Sequence, residues 1–247
     1  MTALLDLVFP PFCPVCKQRL ADGRRDPLCG DCWEGLERIV PPQCLVCGVP
    51  FGGSLSDHLP TPSAASNAIP RRCGLCQRRP PPFDYARAAV RYQHIAREAV
   101  HALKFGGRRA LAAPLGDLLA EIAHELPGGA PHLVIPVPLH RRRERERGFN
   151  QALLLARRLG VASGIPVRSD VLVRTVPTPP QTELTATARR ANVRGAFALR
   201  RPEAVAGRHV VLVDDIMTTG STVSACARSL RNGGAATIGV LTVARVI

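Results

Sequence analysis

Residues 210–222 read V-V-L-V-D-D-I-M-T-T-G-S-T, and this stretch constrains the fold more than any other. Val210, Val211, Leu212 and Val213 form an apolar, mostly β-branched run, the pattern of a strand buried on both faces. Asp214 and Asp215 follow at its carboxyl end, then the small residues Thr218, Thr219, Gly220, Ser221 and Thr222. Val223, Cys226, Ala227 and Leu230 recur at helical spacing, and Gly233-Gly234 stops the helix. Strand, glycine loop and helix in that order expose backbone N–H groups at a helix start, where a phosphate can sit. The hydroxyls add donors. Two carboxylates repel a phosphate but accept from a pair of ribose hydroxyls, so the stretch suits a sugar 5′-phosphate. No G-K-[S/T] is present, which separates it from a Walker A loop.

Cysteine usage sets the second constraint. The 247-residue chain has nine cysteines, and eight of them form C-x-x-C pairs in its first third: Cys13/Cys16, Cys29/Cys32, Cys44/Cys47 and Cys73/Cys76. Each knuckle puts two thiolates on one ion, and two knuckles close the tetrahedral shell of a structural zinc. The sequence favours zinc over four exposed redox dithiols, and sequential pairing over an interleaved one. Such a site has no open position, so it stabilises the fold and does no chemistry. Cys226, on the late helix, reads as a small buried apolar residue.

Arg78-Arg79-Pro80-Pro81-Pro82 marks a stiff boundary, giving a zinc module over 1–82 and a second domain over 83–247. In that domain Phe83–Tyr92 reads as a strand or hairpin, Ile95–Leu103 as a helix and Leu111–Leu126 as another. Leu133–Ile135 reads as a buried strand, and the prolines of Pro136-Val137-Pro138 could fix a tight turn with unusual peptide geometry. The run Arg141–Arg147 reads as a solvated loop or as part of a ligand grip. A helix runs from Gly148-Phe149-Asn150-Gln151 through Leu159, Val167–Val173 is a candidate strand, and Ala236–Val243 is the last strand. Residues 175–198 lack an apolar period and read as a lid. Alternating strands and helices imply an α/β fold with a parallel sheet and right-handed crossovers.

Charge narrows the partners. A net charge of +14, almost all of it arginine since the lysines are Lys17 and Lys104, favours phosphates, nucleic acid or anionic surfaces. With 4% aromatic residues, the chain is poorly equipped to stack single-stranded bases. Any contact with DNA should be backbone-driven and salt-dependent. No apolar run approaches the roughly 18 residues of a membrane span, and the first twelve residues lack a secretory pattern, so a cytoplasmic location is expected.

The 210–222 stretch resembles the phosphoribosyl pyrophosphate (PRPP) loop of type I phosphoribosyltransferases. Together with the C-x-x-C series, other motifs extend the resemblance to the ComF family (ComFC/GntX-like proteins). They are H-A-L-K-F at 101–105, P-V-P-L at 136–139, R-G-F-N-Q at 147–151, Gln181 and R-x-x-N-V-x-G-x-F at 189–197. The resemblance implies a type I phosphoribosyltransferase-like parallel sheet flanked by helices, with a small N-terminal zinc-ribbon module. It implies that Asp214 and Asp215 hold the ribose hydroxyls, that Thr218–Thr222 hold the 5′-phosphate, and that Pro138, Leu139 and His140 form the pyrophosphate loop. Arg147 and Arg189 would neutralise the leaving charge, and residues 175–198 would be the hood. Magnesium would accompany PRPP, and zinc would be structural. Two functions follow: phosphoribosyl transfer to an unnamed acceptor, or a non-enzymatic accessory role in DNA uptake, with single-stranded DNA or competence machinery as partners. The long insertion from Gly52 to Pro70 departs from the family pattern at the second metal site.

Overall fold

A computed structural model describes residues 11–20, 27–51, 72–124, 126–176 and 195–247. The main sheet has four strands: β1 (Tyr85–Arg91), β2 (Leu133–Pro136), β5 (His209–Met217) and β6 (Thr237–Arg245). Their order is β1-β6-β5-β2, and every pairing is parallel. The organising strand β5 is therefore interior, buried along nearly its whole length.

Side-chain alternation explains how β5 joins two cores. Val211 and Val213 point into one apolar cluster, Val210 and Leu212 into the other, as the two-residue period of a strand requires. On the first face lie α3 (His94–Phe105), α4 (Ala112–Ala123, after a 3-10 turn) and α6 (Gln151–Ser163). Leu103, Leu115, Leu118, Leu119, Leu155 and Leu159 supply that core, whereas Ile122 and Ile95 are only half-buried. The other face is covered by α7 (Ser221–Asn232), with Val223, Cys226, Ala227 and Leu230 turned inward. Cys226 is fully buried in apolar surroundings, and burial pushes its thiol pKa up.

Several segments differ from expectation. β5 runs on past Val213 to Met217, because β6 continues the ladder with Asp214 opposite Thr242 and Met217 opposite Arg245. The carboxylates thus sit within the strand rather than beyond it. The basic run 141–147 is a helix, α5, with Arg142 paired to Glu146 one turn on. The candidate strand at 167–173 is mostly loop. Val167 makes an isolated parallel bridge to Val134 of β2, and Leu172–Arg174 (β3) pairs antiparallel with β4 (Phe197–Leu199) outside the main sheet. The expected lid falls largely on 177–194, outside the described residues, as do Gln181 and Arg189. Among the described residues the cis peptide lies at Pro41-Pro42 rather than at Pro136 or Pro138.

The cysteine module contains two one-turn helices, α1 (Gly30–Glu34) and α2 (Gly74–Arg78). It lies along β1, the sheet's edge. Ile39 N–H donates to Ala89 O at 2.9 Å, and Arg91 N–H donates to Glu37 O at 2.9 Å. Cys13, Leu20, Leu28 and Leu36 share the apolar cluster of α3 and α4.

Candidate functional site

Gly220 adopts a left-handed conformation (φ 72°) and caps α7, whose first residue is Ser221. That conformation suits glycine and starts α7 at the carboxyl end of the sheet, the end of a helix at which backbone N–H groups have no intrahelical acceptor. Thr219 Oγ1 and Ser221 Oγ are 2.7 Å apart, which ties the hydroxyls together at the helix start. Asp214, Ile216, Met217, Thr218, Gly220, Ser221, Thr222 and Val223 line a small, open concavity here.

Both carboxylates are buried, and Asp214 is the one that lines the concavity. Asp214 Oδ1 accepts from Asp215 N–H at 2.9 Å, and Asp215 Oδ1 from Ile216 N–H at 2.8 Å. Lys104, at the end of α3, brings its Nζ to 2.8 Å from Asp215 Oδ2. That oxygen makes this ion pair but has no aligned hydrogen bond. Burial, and then the adjacent Asp215 charge, push the Asp214 pKa up to about 8, against the pull of Lys104.

A second set of groups closes on the same carboxylates. Asn150 caps α6 by accepting from Ala152 N–H at 3.0 Å and donates to Val137 O at 3.1 Å, fixing R-G-F-N-Q beside the end of β2. Arg147 is thereby turned inward. It donates to Gln151 Oε1, and its guanidinium carbon stands 5.1 Å from the Phe105 ring centroid. Burial lowers its pKa, while the charges of Asp215 and Asp214 act in the opposite direction. Arg174, at the end of β3, also lies in the field of Asp214, with its guanidinium 5.5 Å from the Phe197 ring centroid. Pro138, Leu139 and His140 are half-buried between β2 and α5, and His140 Nδ1 accepts from Arg142 N–H at 3.3 Å.

The structure thus gathers Asp214, Asp215, the 218–222 loop and Arg147 at one end of the sheet, with 138–140 leading from the neighbouring strand. Arg189 lies outside the described residues. Sequence reasoning assigned no role to Lys104 or Arg174. Lys104 did carry a signal, as one of two lysines in an arginine-rich chain and part of H-A-L-K-F. Arg174 carried none beyond ending a candidate strand.

The eight N-terminal cysteines form two groups: Cys13, Cys16, Cys29 and Cys32, then Cys44, Cys47, Cys73 and Cys76, each with its sulfurs within 4.8 Å of one another. This is the sequential pairing, and all but Cys16 are buried. Four soft sulfur donors at such spacing fit a closed structural zinc shell.

Fold and site together define a phosphoribosyltransferase-type α/β domain joined to a double zinc ribbon. Family models agree: a double zinc ribbon domain matches residues 4–62, and a phosphoribosyl transferase domain matches 146–246. The "DNA utilization protein YhgH" of Escherichia coli O157:H7 is 36% identical over 98% of this chain and 100% of its own length. "Competence protein F" of Haemophilus influenzae is 33% identical over 71% of this chain and 79% of its own length. "Competence protein ComFC" of Bacillus subtilis is 26% identical over 88% of this chain and 84% of its own length. The chain belongs to this ComF family. Among solved structures, a glutamine PRPP amidotransferase from B. subtilis is similar at 22% identity and a TM-score of 0.38, covering 53% of this chain and 26% of that one. That likeness is too loose to carry residue roles. No described helix is long and apolar enough to cross a membrane.

Proposed function

We propose that this protein binds PRPP in the loop after β5 and transfers its phosphoribosyl group to an acceptor. The carrying observation is the left-handed Gly220 cap of α7, which with Thr218, Ser221 and Thr222 lines one concavity with the buried Asp214. In this reading Thr218, Thr219, Gly220, Ser221 and Thr222 hold the 5′-phosphate, and the two carboxylates accept from the ribose hydroxyls. Residues 138–140 face the pyrophosphate. Residues 1–82 form a zinc module and 83–247 the transferase unit.

The reaction passes through a cation-like state at the anomeric carbon as pyrophosphate departs. Arg147, from the inner side of α5, is positioned to offset the leaving charge, and Arg189 would add to it. The Asp215 carboxylate stabilises positive charge developing on the ring. A magnesium ion bound with the diphosphate would supply further charge neutralisation. The hard carboxylate oxygens of Asp214 and Asp215 are the donors that would hold such an ion. The test is consumption of labelled PRPP by purified protein across a panel of bases and nucleic acids, with loss of turnover in Asp214→Asn.

A second reading is favoured by the relatives' names and by the exposed face of α5. There Arg141, Arg142 and Arg145 point to solvent on a chain of net charge +14. In that reading the protein is a non-enzymatic accessory of DNA uptake that contacts nucleic-acid phosphates. PRPP that stays intact with every acceptor, alongside salt-dependent binding of single-stranded DNA, would select it.

A further inference from the structure

The second cysteine cluster is fastened to the sheet by its backbone. Cys44 Sγ accepts from Cys47 N–H at 3.5 Å and from Cys73 N–H at 3.3 Å, which leaves the knuckle's carbonyls facing outward. Three in a row meet donors of the sheet. Leu45 O accepts from Arg87 Nη1 at 3.1 Å, Val46 O from Ala86 N–H at 2.6 Å, and Cys47 O from Arg245 Nη1 at 2.6 Å. Gly48 follows at φ 70°, where a Cβ would stand 2.4 Å from Ala86 O, so only glycine lets the knuckle lie this close to β1.

The third contact also reaches the anion loop. Arg245 ends β6 opposite Met217, and its Nη1 lies 3.2 Å from Met217 Sδ as well as against Cys47 O. Met217 is where the loop departs from β5. Its carbonyl accepts from Val246 N–H at 3.0 Å, and its Cε lies 2.9 Å from the place a Cβ on Gly220 would take. Metal-ligand backbone, guanidinium, thioether and capping glycine are therefore in consecutive contact.

We propose that Arg245 is a positioning residue through which metal occupancy of the Cys44, Cys47, Cys73 and Cys76 site sets the loop's affinity for phosphate. This rests on the phosphate reading of residues 218–222. Four thiolates on one ion close the knuckle and fix Cys47 O, which aims the rigid guanidinium at Met217 and confines the backbone at Gly220. Without the ion the knuckle loosens, and phosphate must itself remove the freedom the loop has gained. Coupling of this kind is reciprocal: phosphate in the loop tightens zinc by the factor by which zinc tightens phosphate.

The experiment uses the full chain loaded with zinc, and ribose 5-phosphate as probe. In calorimetric titration Arg245→Met should keep two zinc ions and bind the probe about five- to tenfold more weakly, with part of the loss recovered in Arg245→Lys. Arg87→Met, which cuts the Leu45 contact without touching Met217, should bind like the parent. In equilibrium competition with a chelator, ribose 5-phosphate should tighten the second zinc in the parent and not in Arg245→Met. Equal weakening in Arg87→Met would reduce the effect to docking of the module and overturn the proposal. Parent-like affinity in Arg245→Met would overturn the coupling and leave the phosphate loop standing. A parent that does not bind the probe would overturn the phosphate reading and the coupling with it.

Discussion

Lys104 Nζ lies 2.8 Å from Asp215 Oδ2, with both side chains largely removed from water. A helix from one part of the chain thus supplies the counter-charge for a strand carboxylate far away in sequence. Removing one partner of such a pair strands the other, which costs on the order of 3 kcal/mol. Lys104→Met should lower stability by about that amount in urea unfolding. Adding Asp215→Asn should restore part of it, since no buried charge is then left alone.

The same cluster sets a pH dependence. Asp214 has a folded pKa of about 8 against an ordinary value of 3.8, so the folded state holds its proton more tightly than the unfolded chain. Its contribution to stability is full below about pH 4 and is lost as pH rises toward 8. Urea midpoints of the zinc-loaded parent and of Asp214→Asn, measured from pH 5 to 8.5, should converge at the acid end. At the alkaline end the variant should be the more stable.

How far the sequence reaches is clear from these residues. The apolar run at 210–213 announced β5, and the glycine and hydroxyl residues after it announced the loop, because both are local patterns. The strand's extension through Asp214 and Asp215 was hidden, since it depends on pairing with β6 rather than on apolar periodicity. Arg141–Arg147 reads as charged and shapeless, yet it forms a helix supported by the His140 cap and the Arg142–Glu146 pair. Val167–Val173 promised one continuous strand, but only its two ends found partners: Val167 bridges Val134 of β2, and the last residues pair with β4. The Lys104–Asp215 pair is a tertiary contact between distant residues, and spacing rules do not see such contacts.

For the cysteine module, purified protein should carry two zinc ions, and Cys13→Ser should carry one. Cys13 sits in the apolar cluster that also holds Leu36 and Leu103, so losing the first site should lower the Tm as well. Metal analysis paired with thermal unfolding checks both. Zinc-free protein with freely titrating thiols would contradict this assignment.

Nucleic-acid binding, if it uses α5, runs through its outer arginines, because Arg147 faces the carboxylates. Replacing Arg141, Arg142 and Arg145 with alanine should flatten the slope of log affinity against log salt for single-stranded DNA by about two to three units. An unchanged slope in fluorescence anisotropy would place these arginines outside the contact.

The central claim is that the β5 loop holds the 5′-phosphate, with Asp215 on the ribose, and calorimetric titration with PRPP and magnesium tests it most directly. Asp215→Asn keeps the shape but loses a charge-assisted acceptor, a cost of about 1.5–3 kcal/mol, which corresponds to roughly tenfold to hundredfold weaker binding. Gly220→Val should lose more, because a β-branched residue resists the 72° φ of the cap and displaces the N–H groups that meet the phosphate. Both variants should keep two zinc ions. Parent-like PRPP affinity in both would contradict the account and put the phosphate elsewhere.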